Sequence, residues 1–166
     1  MAEVLADLGK LQEAMERIEH EIQLNPYSAR VHYSKSRVHL LLSEFDAAVE
    51  EAEKAVELDK SPDNEINLAW IHAVAGKKDG AKAILADIEK REGKEQFSPG
   101  FLAAVKLELG DFDEGFRLLE RGFEQREDGV LYFGSIPEFK KYWSDPRWLQ
   151  IEGKIAALQG SERSLS

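Results

Sequence analysis

The sequence predicts an all-α fold in which helical hairpins repeat along the chain, and three observations carry that expectation. The small residues Ala14, Ala48, Ala81 and Gly115 recur at intervals of 34, 33 and 34. A turn residue stands five positions before each of them, at Gly9, Ser43, Gly76 and Gly110. A further register, seven residues after the first, reads Glu21, Ala55, Ile88 and Gly122. Three registers that advance together define a repeat, and a period in the thirties suits stacked two-helix units. One hairpin cannot bury its apolar face alone, so the core must form between neighbours.

Each unit reads as two helices around a tight turn. Of the first unit's leading helix only Ala2–Leu8 precedes Gly9, which leaves Val4, Leu5 and Leu8 without a full partner. In the second unit Ser28 is placed to cap a helix whose stripe is Val31, Val38, Leu41 and Leu42, flanked by Tyr33 and Leu40. After Ser43 a second helix carries Phe45, Ala48, Ala52, Ala55 and Leu58 on one face, where alanines let two helices approach closely. Ser61-Pro62 and Ser98-Pro99 are caps followed by proline at the first helical position, opening the third and fourth units. Their helices are expected over 64–75, 77–91, 99–109 and 111–126. Gly115 and Gly122 stand inside a helix at a cost of roughly 0.5–1 kcal/mol each, which close packing of the last pair would offset.

Residues 127–159 do not continue the sequence pattern. Ile136-Pro137-Glu138-Phe139 begins a short helix, and Ser144-Asp145-Pro146-Arg147 begins another with Trp148, Ile151, Ile155 and Leu158 on one apolar face. A stack of repeats needs a terminal element over its last exposed core, and this segment suits that role. The expected organisation is therefore tandem repeats over 1–126, divided into 1–27 (partial), 28–61, 62–95 and 96–126. A capping segment at 127–159 and a disordered tail at 160–166 follow.

Composition bounds the function. The chain has 166 residues, 43% apolar and 33% charged, and its 22 basic and 32 acidic residues leave a net charge of −10. Such a surface repels a phosphate backbone, which argues against a nucleic-acid partner. There is no cysteine, hence no disulfide, thiolate nucleophile or thiolate zinc site. The longest apolar run, Phe101–Val105, is far below the about 20 residues of a membrane span. With no signal-peptide pattern at the amino terminus, the expectation is a cytoplasmic protein with no membrane association.

These residues resemble tetratricopeptide repeats. Leu24-Asn25-Pro26 and Leu58-Asp59 are similar to the family's repeat end, and Gly110-Asp111-Phe112-Asp113-Glu114 to its central turn. Glu21 and Lys60 depart from it, standing where a small residue and a proline are usual. The resemblance covers about residues 1–126 and implies a right-handed α-solenoid that binds proteins. Ala69-Trp70-Ile71-His72 leading into Ala75-Gly76-Lys77-Lys78-Asp79, with the closing segment, also resembles the carboxy-terminal repeat arrays of multidomain prokaryotic regulators.

No catalytic constellation stands out. Gly76-Lys77-Lys78-Asp79 lacks the upstream glycine and the hydroxyl residue of a phosphate loop, and the serine-hydrolase, zinc-protease and dinucleotide patterns are absent. Carboxylates such as Glu50-Glu51 read as a solvated exterior. His32 and His39 lie roughly 10.5 Å apart along a helix, too far to share a zinc ion. His39 and His72 take equivalent places where the family carries an aromatic ring, so they read as packing residues. No catalytic residue, metal or cofactor is expected.

Charge points instead to binding. Residues 28–43 hold Arg30, Lys35 and Arg37 and no acid, whereas 44–65 hold nine acids against Lys54 and Lys60. In the family the first helices line a concave groove and the second helices form the back. The resemblance thus implies a groove of Arg30, Tyr33, Arg37, Leu40, Trp70, Val74, Ala104 and Leu107, with an acidic and apolar peptide or helix as partner. Aromatic and arginine side chains in a concavity are the composition of a binding hot spot. Tyr33 and Arg37 occupy the places of the lysine and asparagine that clamp a chaperone's carboxylate tail, which argues against that ligand. The alternative is a regulatory or oligomerisation module, in which the apolar Val4, Leu5 and Leu8 pack on an upstream domain or on a second copy as a homodimer.

Overall fold

The computed structural model describes residues 2–91, 97–131 and 133–163, all-α with no strand among them. The helices are α1 (Ala2–Asp7), α2 (Leu11–Leu24), α3 (Ala29–Leu41), α4 (Phe45–Leu58), α5 (Pro62–Val74), α6 (Lys78–Arg91), α7 (Pro99–Leu109), α8 (Phe112–Glu124), α9 (Asp128–Leu131) and α10 (Pro146–Arg163). Short 3₁₀ segments at Phe133–Ser135 and Pro137–Tyr142 stand between the last two. The chain divides into two compact units, Met1–Phe97 and Ser98–Ser166.

In the first unit each helix packs on the next, from α1 to α6, and the leading helices α1, α3 and α5 also meet side by side. That is the topology of stacked hairpins. Ala14, Ala48 and Ala81 have no exposed surface. Each is the fourth residue of its helix (α2, α4 and α6), as buried Gly115 is of α8. The small residues thus occupy equivalent crossings, and the repeat is structural.

The turns recur with the same fidelity. Gly9, Ser43, Gly76 and Gly110 are all left-handed, with φ of 74°, 61°, 76° and 88°. Beyond each, an amide donates back to a carbonyl five residues earlier: Lys10 to Leu5, Glu44 to His39, Lys77 to His72 and Asp111 to Lys106, at 2.8–2.9 Å. These bonds close the carbonyls that a helix end leaves open.

Several expectations need correcting. Ser28 and Ser61 stand at the N-caps without a side-chain cap bond, whereas Ser98 Oγ accepts from the Phe101 amide at 3.2 Å. Leu40 is buried and Leu42 is 42% exposed, the reverse of the expected stripe. Residues 160–163 are helical as the end of α10, not the start of a disordered tail, because the single Gly160 costs only about 1 kcal/mol within a long helix. Residues 92–96 and 164–166, which the expected boundaries include, lie outside the described residues.

The second unit keeps the repeat's step where the sequence pattern lapses. Glu108 accepts from Lys141 at 2.7 Å and Tyr142 at 3.0 Å, Asp113 from Arg147 at 2.9 Å, and Glu120 from Lys154. Each pair lies 33 or 34 residues apart, so α10 lies beside α8 at one repeat's distance. Its core is aromatic: Phe133 stacks on Phe139 with centroids 4.1 Å apart and meets Trp148 at 4.9 Å.

Candidate interaction face

The eight expected groove residues differ in exposure. Leu40, Trp70, Ala104 and Leu107 are buried, at 6%, 8%, 4% and 1% exposure. Leu107 faces its partner helix closely enough that a Cβ on Gly115 would sit 2.7 Å from its Cδ2. Trp70 lies on α5, whose buried residues (among them Asn64, Glu65, Ile66, Ile71 and Ala73) run all round the helix. Only Leu68, His72 and Val74 of its middle and end keep part of their surface open, and Trp70 is not among them. Val74 is half-buried and Arg30 is exposed, with Tyr33 half-buried one turn along α3.

The basic stretch of α3 is largely neutralised within the fold. Arg37, whose side chain is 13% exposed, pairs with Asp7 of α1 at 2.6 Å, and Ser34 donates to Glu3 at 2.8 Å. Lys35 turns to Glu51 of α4 at 3.1 Å. Arg30 remains exposed on the outer side of α3.

Glu51, expected on a solvated exterior, is instead a buried polar centre. It is 6% exposed and receives His32 Nδ1 at 2.6 Å, Lys35 at 3.1 Å and Lys54 at 3.2 Å. Burial alone would raise its pKa, but the His32 bond and the two ammonium groups outweigh that and hold the carboxyl at about 2. His32 Nε2 reaches the Pro26 carbonyl at 3.1 Å, so one residue ties α3 to both the loop before it and the helix after it. The signal was present as His32 and Lys35 one turn apart, opposite an acid in a row of alanines.

Two further polar anchors lie inside. Asn67 of α5 donates to Ser36 of α3 at 3.2 Å, and Ser36 to the Tyr33 carbonyl at 2.7 Å, fixing the two leading helices. In the second unit Glu127 accepts from Ser98 Oγ and, at 2.9 Å, from the Gly100 amide, closing the start of α7. His72 is half-buried, its Nδ1 against Gly80, and desolvation lowers its pKa. Among the described residues no group of His, Asp or Glu is arranged to hold a metal ion. No helix among them is long and apolar enough to cross a membrane.

Hairpins stacked at a constant step, with polar pairs bridging one to the next, define a helical-repeat protein. The family model of the tetratricopeptide repeat matches residues 29–62, which span α3, the Ser43 turn and α4. The chain carries a tetratricopeptide repeat, of a family that generally mediates protein–protein interaction and is typically non-catalytic. No curated protein matches the chain.

Proposed function

We propose that this protein is a non-catalytic, cytoplasmic interaction module of a regulatory or signalling protein, and that its binding face runs along α3. The observation that supports this is the side of α3 left open by the core, where Arg30 is exposed and Tyr33 half-buried beside the Arg37–Asp7 pair. An extended or helical segment carrying an acid and apolar residues would find there a cation, a phenol and a fixed guanidinium. With two of the three cations engaged by Asp7 and Glu51, the preference for acid rests chiefly on Arg30.

Fluorescence anisotropy with a set of labelled amphipathic peptides, acidic and charge-reversed, tests the reading. Acidic peptides should bind more tightly, with a loss of about tenfold in Arg30→Glu and helicity unchanged. Equal binding of both peptide sets would remove the acidic preference; binding untouched by Arg30→Glu and Tyr33→Ala would remove the face itself.

A second reading has its own observation. Val4 and Leu8 of the first hairpin are 55% and 69% exposed. An apolar end of this kind suits packing on an upstream domain or on another copy, in a module whose role is assembly.

A further inference from the structure

The repeat makes exposure comparable from place to place. Val4 recurs as Val38, Ile71 and Val105 at the same 34, 33 and 34 intervals, always β-branched. Those three are 1%, 0% and 0% exposed, whereas Val4 is 55% exposed. Val38 shows what the position requires. It belongs to one apolar cluster with Ala14 and Ile18, the fourth and eighth residues of the preceding second helix. Val4 has no such helix against it among the described residues.

The opposite deficit is found on α10. The fourth and eighth residues of the other second helices are Ala14, Ile18, Ala48, Ala52, Ala81, Leu85, Gly115 and Leu119. All are buried, the seven other than Gly115 at 4% or less. The same places on α10 are Leu149, 51% exposed, and Gly153, exposed with nothing within 4 Å of where a Cβ would stand. Ala156, at the eleventh place, is exposed as well. The cause is a rotation: α10 buries Trp148, Ile151 and Ile155, a stripe offset by one residue, or about 100° of helix. The aromatic cluster around Phe133 claims Trp148 and turns the usual stacking stripe outward.

We infer that the chain associates head to tail with a second copy, the Leu149–Gly153–Ala156 stripe of one seating against Val4 and Leu8 of the next. This rests on the second reading above and specifies it. One surface lacks a small-residued second helix, and the same molecule displays one uncovered. The contact is heterologous, so each copy keeps one surface of each kind and association continues beyond a dimer unless the rotation closes a ring. Its contacts are apolar and each copy carries a charge of −10, so association is weak at low ionic strength.

The test is sedimentation velocity with light scattering over a concentration series at 150 mM salt, for wild type, Val4→Glu, Leu149→Glu and an equimolar mixture of the variants. Both positions are exposed, and circular dichroism verifies that each variant is folded. Wild type should grow in mass past the dimer, and each variant alone should be monomeric, its dissociation constant raised at least about tenfold by a charge set into an apolar contact. The mixture should form a 1:1 dimer and stop, because only one complementary pair of surfaces survives. A wild type that stays monomeric overturns this inference and the copy-to-copy form of the second reading together. Growth abolished by Val4→Glu but not by Leu149→Glu, or a mixture that does not dimerise, overturns the head-to-tail contact while self-association stands.

Discussion

At the scale of single residues, two positions carry measurable strain or charge. Ser43 holds a φ of 61° in a turn where the equivalent residues are Gly9, Gly76 and Gly110. A side chain in the left-handed region costs about 1–2 kcal/mol, and glycine's greater freedom in the unfolded chain takes part of that back. Ser43→Gly should therefore stabilise by about 0.5–1 kcal/mol, read as a shift of the urea midpoint at constant slope. Glu51 carries the charge. Its pKa falls from 4.5 to about 2 on folding, so its contribution is present above pH 4.5 and is lost as pH falls toward 2. At neutral pH that contribution is about 3 kcal/mol. The stability gap between wild type and Glu51→Gln should narrow over the same range, as urea melts at stepped pH would record; a gap independent of pH would contradict the assignment.

Helix pairing explains why two glycines stand inside α8. Propensity alone would make Gly115→Ala stabilising by about 1 kcal/mol. A Cβ there would meet Leu107 Cδ2 and Cγ at 2.7 Å, and Leu107, 1% exposed, has nowhere to retreat. Overpacking should win, with a net loss of about 1–2 kcal/mol, so the sign of the change in a denaturant melt decides between propensity and packing. Gly122 meets a similar limit at Val130 Cγ2, 2.6 Å away. The same scale shows where pattern reading fails. The registers of Ala14 and Gly9 are legible because one stripe and one turn are reused by each hairpin. Leu40, Trp70, Ala104 and Leu107 stand at the groove positions that the family resemblance implies, yet each is buried. Sequence reports a residue's angle round its helix, whereas its exposure depends on how many neighbours surround that helix, and α5 buries eight of its thirteen residues.

For the whole molecule, charge and apolar contact should respond oppositely to salt. Peptide binding at Arg30 is an exposed electrostatic contact, screened as the Debye length falls to about 8 Å at physiological ionic strength. Copy-to-copy contact at Val4 and Leu149 joins two bodies of like charge, so screening removes a repulsion. Raising salt from about 20 mM to 150 mM should weaken the first and strengthen the second, a divergence visible in anisotropy and sedimentation on one preparation. The closing segment belongs to this scale too. Its acid–base partners at steps of 33 or 34 residues could have been read from Glu108, Asp113 and Glu120 against Lys141, Arg147 and Lys154, yet without the small-residue register nothing marked them as pairs.

Local chemistry was enough to determine the period, the hairpin and the place of its turn, since small residues at a crossing and a carbonyl-closing turn are requirements of each unit taken alone. Which side of a helix faces inward was settled by packing. The Phe133 and Trp148 rings turn α10 by one residue, and Asp7 and Glu51 draw Arg37 and Lys35 out of an open basic face. Both outcomes depend on partners that only the packed helices bring within contact distance.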